Sequence, residues 1–405
     1  MIIKPRHILL GSVALLFTLL GGQVSAAELG GLRVSGFIGV ESRVFTQNPK
    51  HTGQETGLEA SVIFNPEFRY RTEDRVHRFI FIPFYRQDSR DDARTHFDIR
   101  EAYWQWRGDE WDVLVGINKV FWGVTESAHL VNIVNQVDGV EDLDGEDYLG
   151  QPMINIATQQ DWGRVDLFVL PGFRERTFPG TSGRFRGPLP VDTDNAKFES
   201  GAKEKHIDLT ARYSHYFGDW DVGLSYFYGT DRAPVLSLNN DRTRFTPTYN
   251  LINQVGADIQ YTTDAWLWKF EGIVREGQGD TFAAAVGGFE YTFYQVFEKD
   301  WDIGVLAEYQ YDGRDASAPF TAQDEDIFAG VRLALNDIQD TQVLAGFSID
   351  HISGEKFYNF EADRRIGENY TLELRARFIA DSDAGDDSFA LEHDDYIQIR
   401  FARYF

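Results

Sequence analysis

Tyr370-Thr371-Leu372-Glu373-Leu374-Arg375-Ala376-Arg377-Phe378 is the stretch on which the reading of this chain turns. Tyr370, Leu372, Leu374, Ala376 and Phe378 alternate with Thr371, Glu373, Arg375 and Arg377, and a period of two sends the two sets to opposite faces of a strand. The same alternation recurs elsewhere in the chain. Leu58, Ala60, Val62, Phe64 and Phe68 oppose Glu59, Ser61, Asn65, Glu67 and Arg69; Val255, Ala257, Ile259 and Tyr261 oppose Gln254, Asp258, Gln260 and Thr262. Between Leu32 and Phe405 the pattern predicts an all-β chain of about 18 strands, with about 16 as the alternative, each roughly ten residues long. No segment of comparable length reads as an amphipathic helix.

Composition narrows the function classes. The 405 residues suit one large domain or two ordinary ones. The absence of Cys removes disulfides, thiolate metal sites and Cys nucleophiles. A net charge of -25 and a mean hydropathy of -0.36 argue against a nucleic-acid partner and against a helical membrane bundle. With 32 Phe, 18 Tyr and 9 Trp the chain is too aromatic to be disordered. Its beginning reads as a signal peptide over residues 1–26: Lys4 and Arg6, the apolar run Ile8 to Leu20, then Val24-Ser25-Ala26 as a cleavage site. The run is too short to span a bilayer as a helix, for which about 20 apolar residues are needed. The leader carries no acid, so the negative charge belongs to residues 27–405.

The links between strands alternate in length. Thr72 to Asp74, Gly108 to Glu110, Gly218 to Asp219, Thr263 to Ala265 and Glu298 to Asp300 are short. Gln47 to Gly57, Val120 to Pro152, Gly172 to Lys205, Thr230 to Thr248, Asp312 to Glu325 and Ala380 to Asp394 are long and rich in Gly, Pro and Asp, with Glu276 to Asp280 a short exception. Such alternation predicts a transmembrane antiparallel up-and-down β-barrel with tight periplasmic turns, long extracellular loops and both termini periplasmic. Trp111, Trp162, Trp220, Trp266 and Trp301 each follow a short turn. They are expected to form a belt at one membrane interface, against outer-membrane lipid and lipopolysaccharide.

The chain closes with Tyr396-Ile397-Gln398-Ile399-Arg400-Phe401-Ala402-Arg403-Tyr404-Phe405. This resembles the terminal strand of bacterial outer-membrane proteins: Phe405, Phe401, Ile399 and Ile397 match the pattern, and Arg403 departs from it. The resemblance covers the chain after its leader and implies a Gram-negative outer-membrane barrel whose last strand, ending in Phe405, meets the barrel assembly machinery. Phe121-Trp122-Gly123 with Asn135-Gln136-Val137-Asp138 is loosely similar to alginate-export-like and related porin-like families, Gln136 standing where a Pro is usual.

In a barrel the charged side of each strand must line the lumen. Arg69, Arg71, Arg100, Lys269, Arg275, Arg332, Arg375, Arg377 and Arg400, with Glu373 among the interleaved acids, are therefore the predicted pore-lining residues. They read either as a basic ladder attracting polar or anionic solutes, or as partners of neighbouring acids that select nothing. The segment 120–152 is the expected constriction. Val124, Leu130, Val131, Val134 and Val137 fall at roughly helical spacing, so an apolar turn of helix is expected to fold inward, with Trp122 at the constriction and His129, Asn132, Asn135 and Asp138 left there to meet solute; a cap over the outer rim or a contact with another subunit is the alternative. The acidic run Glu141 to Asp147 departs from a calcium loop and reads as solvated or lipopolysaccharide-bound acid; no metal or cofactor is assigned. Ser214 and His215, neighbours on one strand, point to opposite faces, and Gly-x-Ser-x-Gly is absent, so no enzyme is expected. The function read from these features is passive passage of small polar or anionic solutes. A plugged barrel docking an envelope transport system and a barrel hydrolase are the alternatives.

Overall fold

In hydrocarbon a backbone N–H or C=O has no water to turn to, so strands that cross it must pair on both edges. The computed structural model, which describes residues 27–321, 324–386 and 388–405, meets that demand with 18 spanning strands. They are β1 (Leu32–Phe45), β2 (Leu58–Arg71), β3 (His77–Asp88), β4 (His96–Arg107), β5 (Trp111–Asn118), β6 (Gln151–Gln160), β7 (Gly163–Pro171), β8 (Ile207–Phe217) and β9 (Trp220–Thr230). The second half comprises β10 (Leu251–Thr263), β11 (Trp266–Glu276), β12 (Phe282–Val296), β13 (Trp301–Asp312), β14 (Asp326–Ala334), β15 (Gln342–Asp350), β16 (Lys356–Ile366), β17 (Tyr370–Ala380) and β18 (Tyr396–Tyr404). Each strand pairs antiparallel with its chain neighbours, and β1 pairs with β18 from Phe37 opposite Tyr404 to Phe45 opposite Tyr396. That last ladder closes the barrel. The fold and strand number are those expected; the signal segment 1–26 lies outside the described residues.

The two-residue period is visible in the exposure of the wall. On β3, Phe79, Phe81 and Tyr85 are exposed while Ile80, Ile82, Phe84 and Arg86 are buried; on β9, Leu224, Tyr226 and Tyr228 are exposed while Ser225 and Phe227 are buried. Charges are buried and hydrocarbon is outside, the inverse of a water-soluble domain. Among the described residues no helix is long and apolar enough to cross a membrane. Val235–Leu238, Phe245–Tyr249 and Lys197–Phe198 form a small separate sheet within the long loops.

The tight links, from β2–β3 through β16–β17, share one rim with Leu32 and Phe405, whose backbone N–H donates to Gly36 at 3.0 Å. The long loops gather at the other rim. Trp111, Trp220, Trp266 and Trp301 open β5, β9, β11 and β13 at the tight rim, and Trp162 sits in the β6–β7 turn. These rings are braced laterally: Trp220 stacks on Tyr261 with centroids 4.4 Å apart, Trp266 on Trp268 at 5.4 Å, and Trp162 on Tyr213 at 6.4 Å. In lipid vesicles their fluorescence is expected to be quenched more by lipids brominated near the headgroup than by lipids brominated at the chain end. Equal quenching at both depths would remove the belt from the interface.

Candidate functional site

The segment 119–150, between β5 and β6, turns into the lumen and is held from two opposite directions. On one side the wall supplies carboxylates to its backbone. Glu271 on β11 accepts the N–H groups of Val124 at 2.7 Å, Thr125 at 3.1 Å and Val131 at 3.2 Å. Glu308 on β13 accepts those of Glu126 at 2.9 Å and Ser127 at 2.8 Å. These bonds explain why the expected turn of helix is absent. A peptide N–H satisfied by a wall carboxylate no longer needs the carbonyl four residues back, and 119–150 carries no helix. Gly123 permits the approach, because a Cβ there would lie 2.6 Å from His129 Nδ1 and 3.1 Å from Glu271 Oε1.

On the other side the loop supplies the acids and the wall the guanidinium groups. Arg86 on β3 holds Glu141 at 2.5 Å and Glu41 at 2.8 Å, and Arg94 reaches Glu41 at 2.6 Å and Glu59 at 2.9 Å. Arg43 donates to the carbonyl of Glu141 at 2.5 Å. Arg377 on β17 pairs with Asp142 at 3.1 Å, Asp144 at 2.7 Å and Glu361 at 2.9 Å, while the Tyr396 hydroxyl donates to Asp142 at 2.6 Å. The acidic run expected to be solvated is thus corrected: Glu141 and Asp142 are buried, and they fasten the loop to the wall. Between the two anchorages Ile133 and Val134 pack with Leu114, Met153, Phe168, Leu170, Phe227 and Ile252. That apolar core fills the lumen on the β5–β10 side.

The predicted ladder residues face inward in the main, already paired. Arg100 meets Asp98 at 3.1 Å and Asp138 at 2.6 Å, Arg275 meets Asp231 at 3.2 Å, and Arg332 meets Glu126 at 2.7 Å. Lys269 lies 3.8 Å from Glu126, Arg375 3.1 Å from Asp142, and Arg400 2.7 Å from Glu41 and 3.0 Å from Glu373. Arg69 pairs with Glu67 at 2.7 Å toward the tight rim, where Arg71 is exposed. In the loop, Asn132 accepts the N–H of Trp122 at 2.8 Å, and buried Asn135 accepts that of Val120 at 2.8 Å while donating to the carbonyls of Asn118 and Leu149. Asn135 and Asp138, expected to meet solute, are corrected to internal struts. Trp122 packs its ring on Phe168 under the Arg212 guanidinium. Sequence reasoning passed over Glu41, Arg43 and Arg86, although their inward parity on β1 and β3 was available, and Arg94, which sits in a loop without periodicity.

Electrostatics of the loop follow from these partners. Burial opposes ionisation of Asp138, yet His96, Arg100 and Thr177 hold its carboxyl well below the usual range. Donor atoms of His96, Asp138 and Glu141 lie within 4.8 Å of one another, but Arg100 and Arg86 already supply the positive charge there. Burial would lower the His129 pKa; Glu146 at 3.5 Å and Glu271 at 3.8 Å outweigh it and raise the value to about 9. Asp144 is pushed up to about 7 by burial and by the neighbouring Asp142 carboxylate.

What stays open lies opposite the apolar core. A cavity of about 250 Å³ runs between loop residues Glu126, Ser127 and Asp144 and the inner face of β14–β17, marked by Phe328, Leu344 and Asn359.

No family model and no curated protein matches the chain by sequence. Solved structures match it by shape. A BenF-like porin from Pseudomonas fluorescens Pf-5 superposes with a TM-score of 0.53 at 9% identity, over 94% of this chain and 99% of that one. OccK3 (OpdO) of Pseudomonas aeruginosa gives 0.53 at 9% identity, over 92% and 95%. The chain shares its barrel fold with these outer-membrane proteins. Escherichia coli Wzi, described as a carbohydrate-binding outer-membrane β-barrel involved in group 1 capsule assembly, gives 0.52 at 8% identity, over 91% and 84%. At such identities the likeness is one of architecture.

Within this barrel fold, Glu271→Ala strands three loop N–H groups and is expected to cost about 3 kcal/mol, the scale for breaking a buried charged contact. The readout is faster proteolysis within 119–150 of the folded barrel; unchanged cleavage would show that the loop is held otherwise. Because the folded His129 pKa stands above its ordinary 6.5, its contribution is complete below that value and is lost as pH rises through about 9. Loop protection is expected to fall across that window, and His129→Gln to flatten the pH dependence.

Proposed function

We propose that the chain is an outer-membrane channel for passive diffusion of small polar solutes, with its passage along the β14–β17 wall. The observation that carries this reading is the folded-in loop, which fills one side of the lumen and leaves a lined cavity on the other. A purely structural barrel has no need of such a partition. The porin-like architecture and the apolar outer wall support placement in a bacterial outer membrane. On this reading residues 1–26 direct export, the tight rim and both termini face the periplasm, the long loops face outward among lipopolysaccharide, and the strand ending at Phe405 engages the assembly machinery.

An anion preference would require unpaired cations on the passage. Most of the ladder is instead neutralised within the wall and loop, so the solute class rests on the cavity and not on the ladder. The porin-like neighbours favour a channel over a catalyst.

Planar-bilayer recording tests the proposal. Discrete open steps are expected, with larger steps after Glu271→Ala and Glu308→Ala together free the loop from the β11–β13 wall. Silence in well-folded protein, persisting in that double variant, would replace the channel by a closed barrel that docks other envelope components.

A further inference from the structure

We infer that the β14–β17 cavity is a binding subsite for organic cations, an ammonium or guanidinium group carried on an apolar body. The inference deepens the channel reading and rests on it for biological use. Its chemistry stands on the cavity alone.

The charge around the cavity is unbalanced. Asp324, Asp326, Asp350 and Glu355 line it and make no ion pair among the described residues. Asp350 accepts from Ile352 N–H at 2.7 Å and from the Ser353 hydroxyl, and Glu355 accepts from Ser388 N–H at 3.4 Å. Neither contact carries a positive charge. The guanidinium in the lining, Arg377, is already divided among Asp142, Asp144 and Glu361. His351, next in the chain to Asp350, faces Glu325 at 3.4 Å.

A second observation is independent of charge. Asp326 is only 6% exposed, and among the described residues its Oδ2 has no hydrogen-bond partner; Asn359 Oδ1 and Ser388 Oγ, also in the lining, are likewise buried without one among those residues. Buried polar atoms are nearly always satisfied, and an ionised oxygen is the costliest to leave bare. Arg377 Nε, a donor in the same lining, is also buried without a partner among the described residues, but two of these four atoms are acceptors only and one of them belongs to a carboxylate that no cation meets there, so a donor is wanting beside Asp326. An ammonium brings three N–H donors and a guanidinium five, each with the charge that the carboxylates call for.

The remaining lining selects among cations. Phe328, Leu344, Phe357, Ile379 and Leu391 share the cavity with those oxygens. A hydrated metal ion gains nothing from such surface. A hydrocarbon body buries against it, and a cation beside Phe328 or Phe357 is further attracted by the ring face.

Isothermal titration calorimetry on the full-length, detergent-folded barrel tests the site directly, with phenethylammonium as probe and phenethyl alcohol and magnesium chloride as controls. Saturable binding of phenethylammonium is expected, weakened about tenfold or more by Asp326→Asn, with no saturable binding of the alcohol and no displacement by magnesium. Should Asp326→Asn fail to give a heat-modifiable folded band, Glu355→Gln, in the loop before β16, is the variant to read. Equal binding of alcohol and amine, displacement of the amine by magnesium, or unchanged affinity in the folded variant would overturn the inference. Binding without conductance would sink the channel reading and leave the site standing; conductance without binding would do the reverse.

Discussion

A backbone that must hide every N–H and C=O from lipid governs this molecule at two scales. At the scale of the wall it forces the β1–β18 ladder, without which eighteen strands would remain a sheet with two bare edges in hydrocarbon. At the scale of the lumen it decides the shape of segment 119–150. An irregular chain can cross a partly dry interior only if something accepts its N–H groups, and Glu271 and Glu308 do so from the wall. Their carboxylates serve as surrogates for a neighbouring strand.

The charge arrangement follows from that solution. Carboxylates committed to backbone donors on β11 and β13 leave the opposite wall to supply cations, and Arg43, Arg86 and Arg377 meet the acids that the loop brings across. Pairing of this kind stabilises little by itself in a low-dielectric interior, where desolvation offsets attraction. Its effect is positional, because a displaced loop leaves several uncompensated charges at once. Asp324, Asp326, Asp350 and Glu355 along the β14–β17 cavity stay without a cation among the described residues for a related reason: the guanidinium beside them, that of Arg377, is spent on Asp142, Asp144 and Glu361.

Much of the architecture was legible before any coordinates. Alternation at Tyr370–Phe378 assigns inside and outside to β17 residue by residue, and the contrast between Gly218–Asp219 and Val120–Pro152 separates the two rims. The inward fold of 119–150 was legible as the favoured reading of its apolar content, ahead of a cap over the outer rim or a contact with another subunit. Its internal form was not. Val124, Val131 and Val134 stand at helical spacing, but the same spacing serves an irregular chain buried on several sides. Likewise, Arg377 reads as inward from parity alone, whereas its partners Asp142 and Asp144 lie more than two hundred residues away and no local pattern announces them.

The loop touches both strands of the closing seam: Arg43 on β1 holds the carbonyl of Glu141, and Tyr396 on β18 holds the Asp142 carboxylate. Zipping the seam and seating the loop therefore share residues. Arg43 and Tyr396 stand side by side only once the first and last strands have met, so the closed seam is itself part of the socket into which the loop's acids fit.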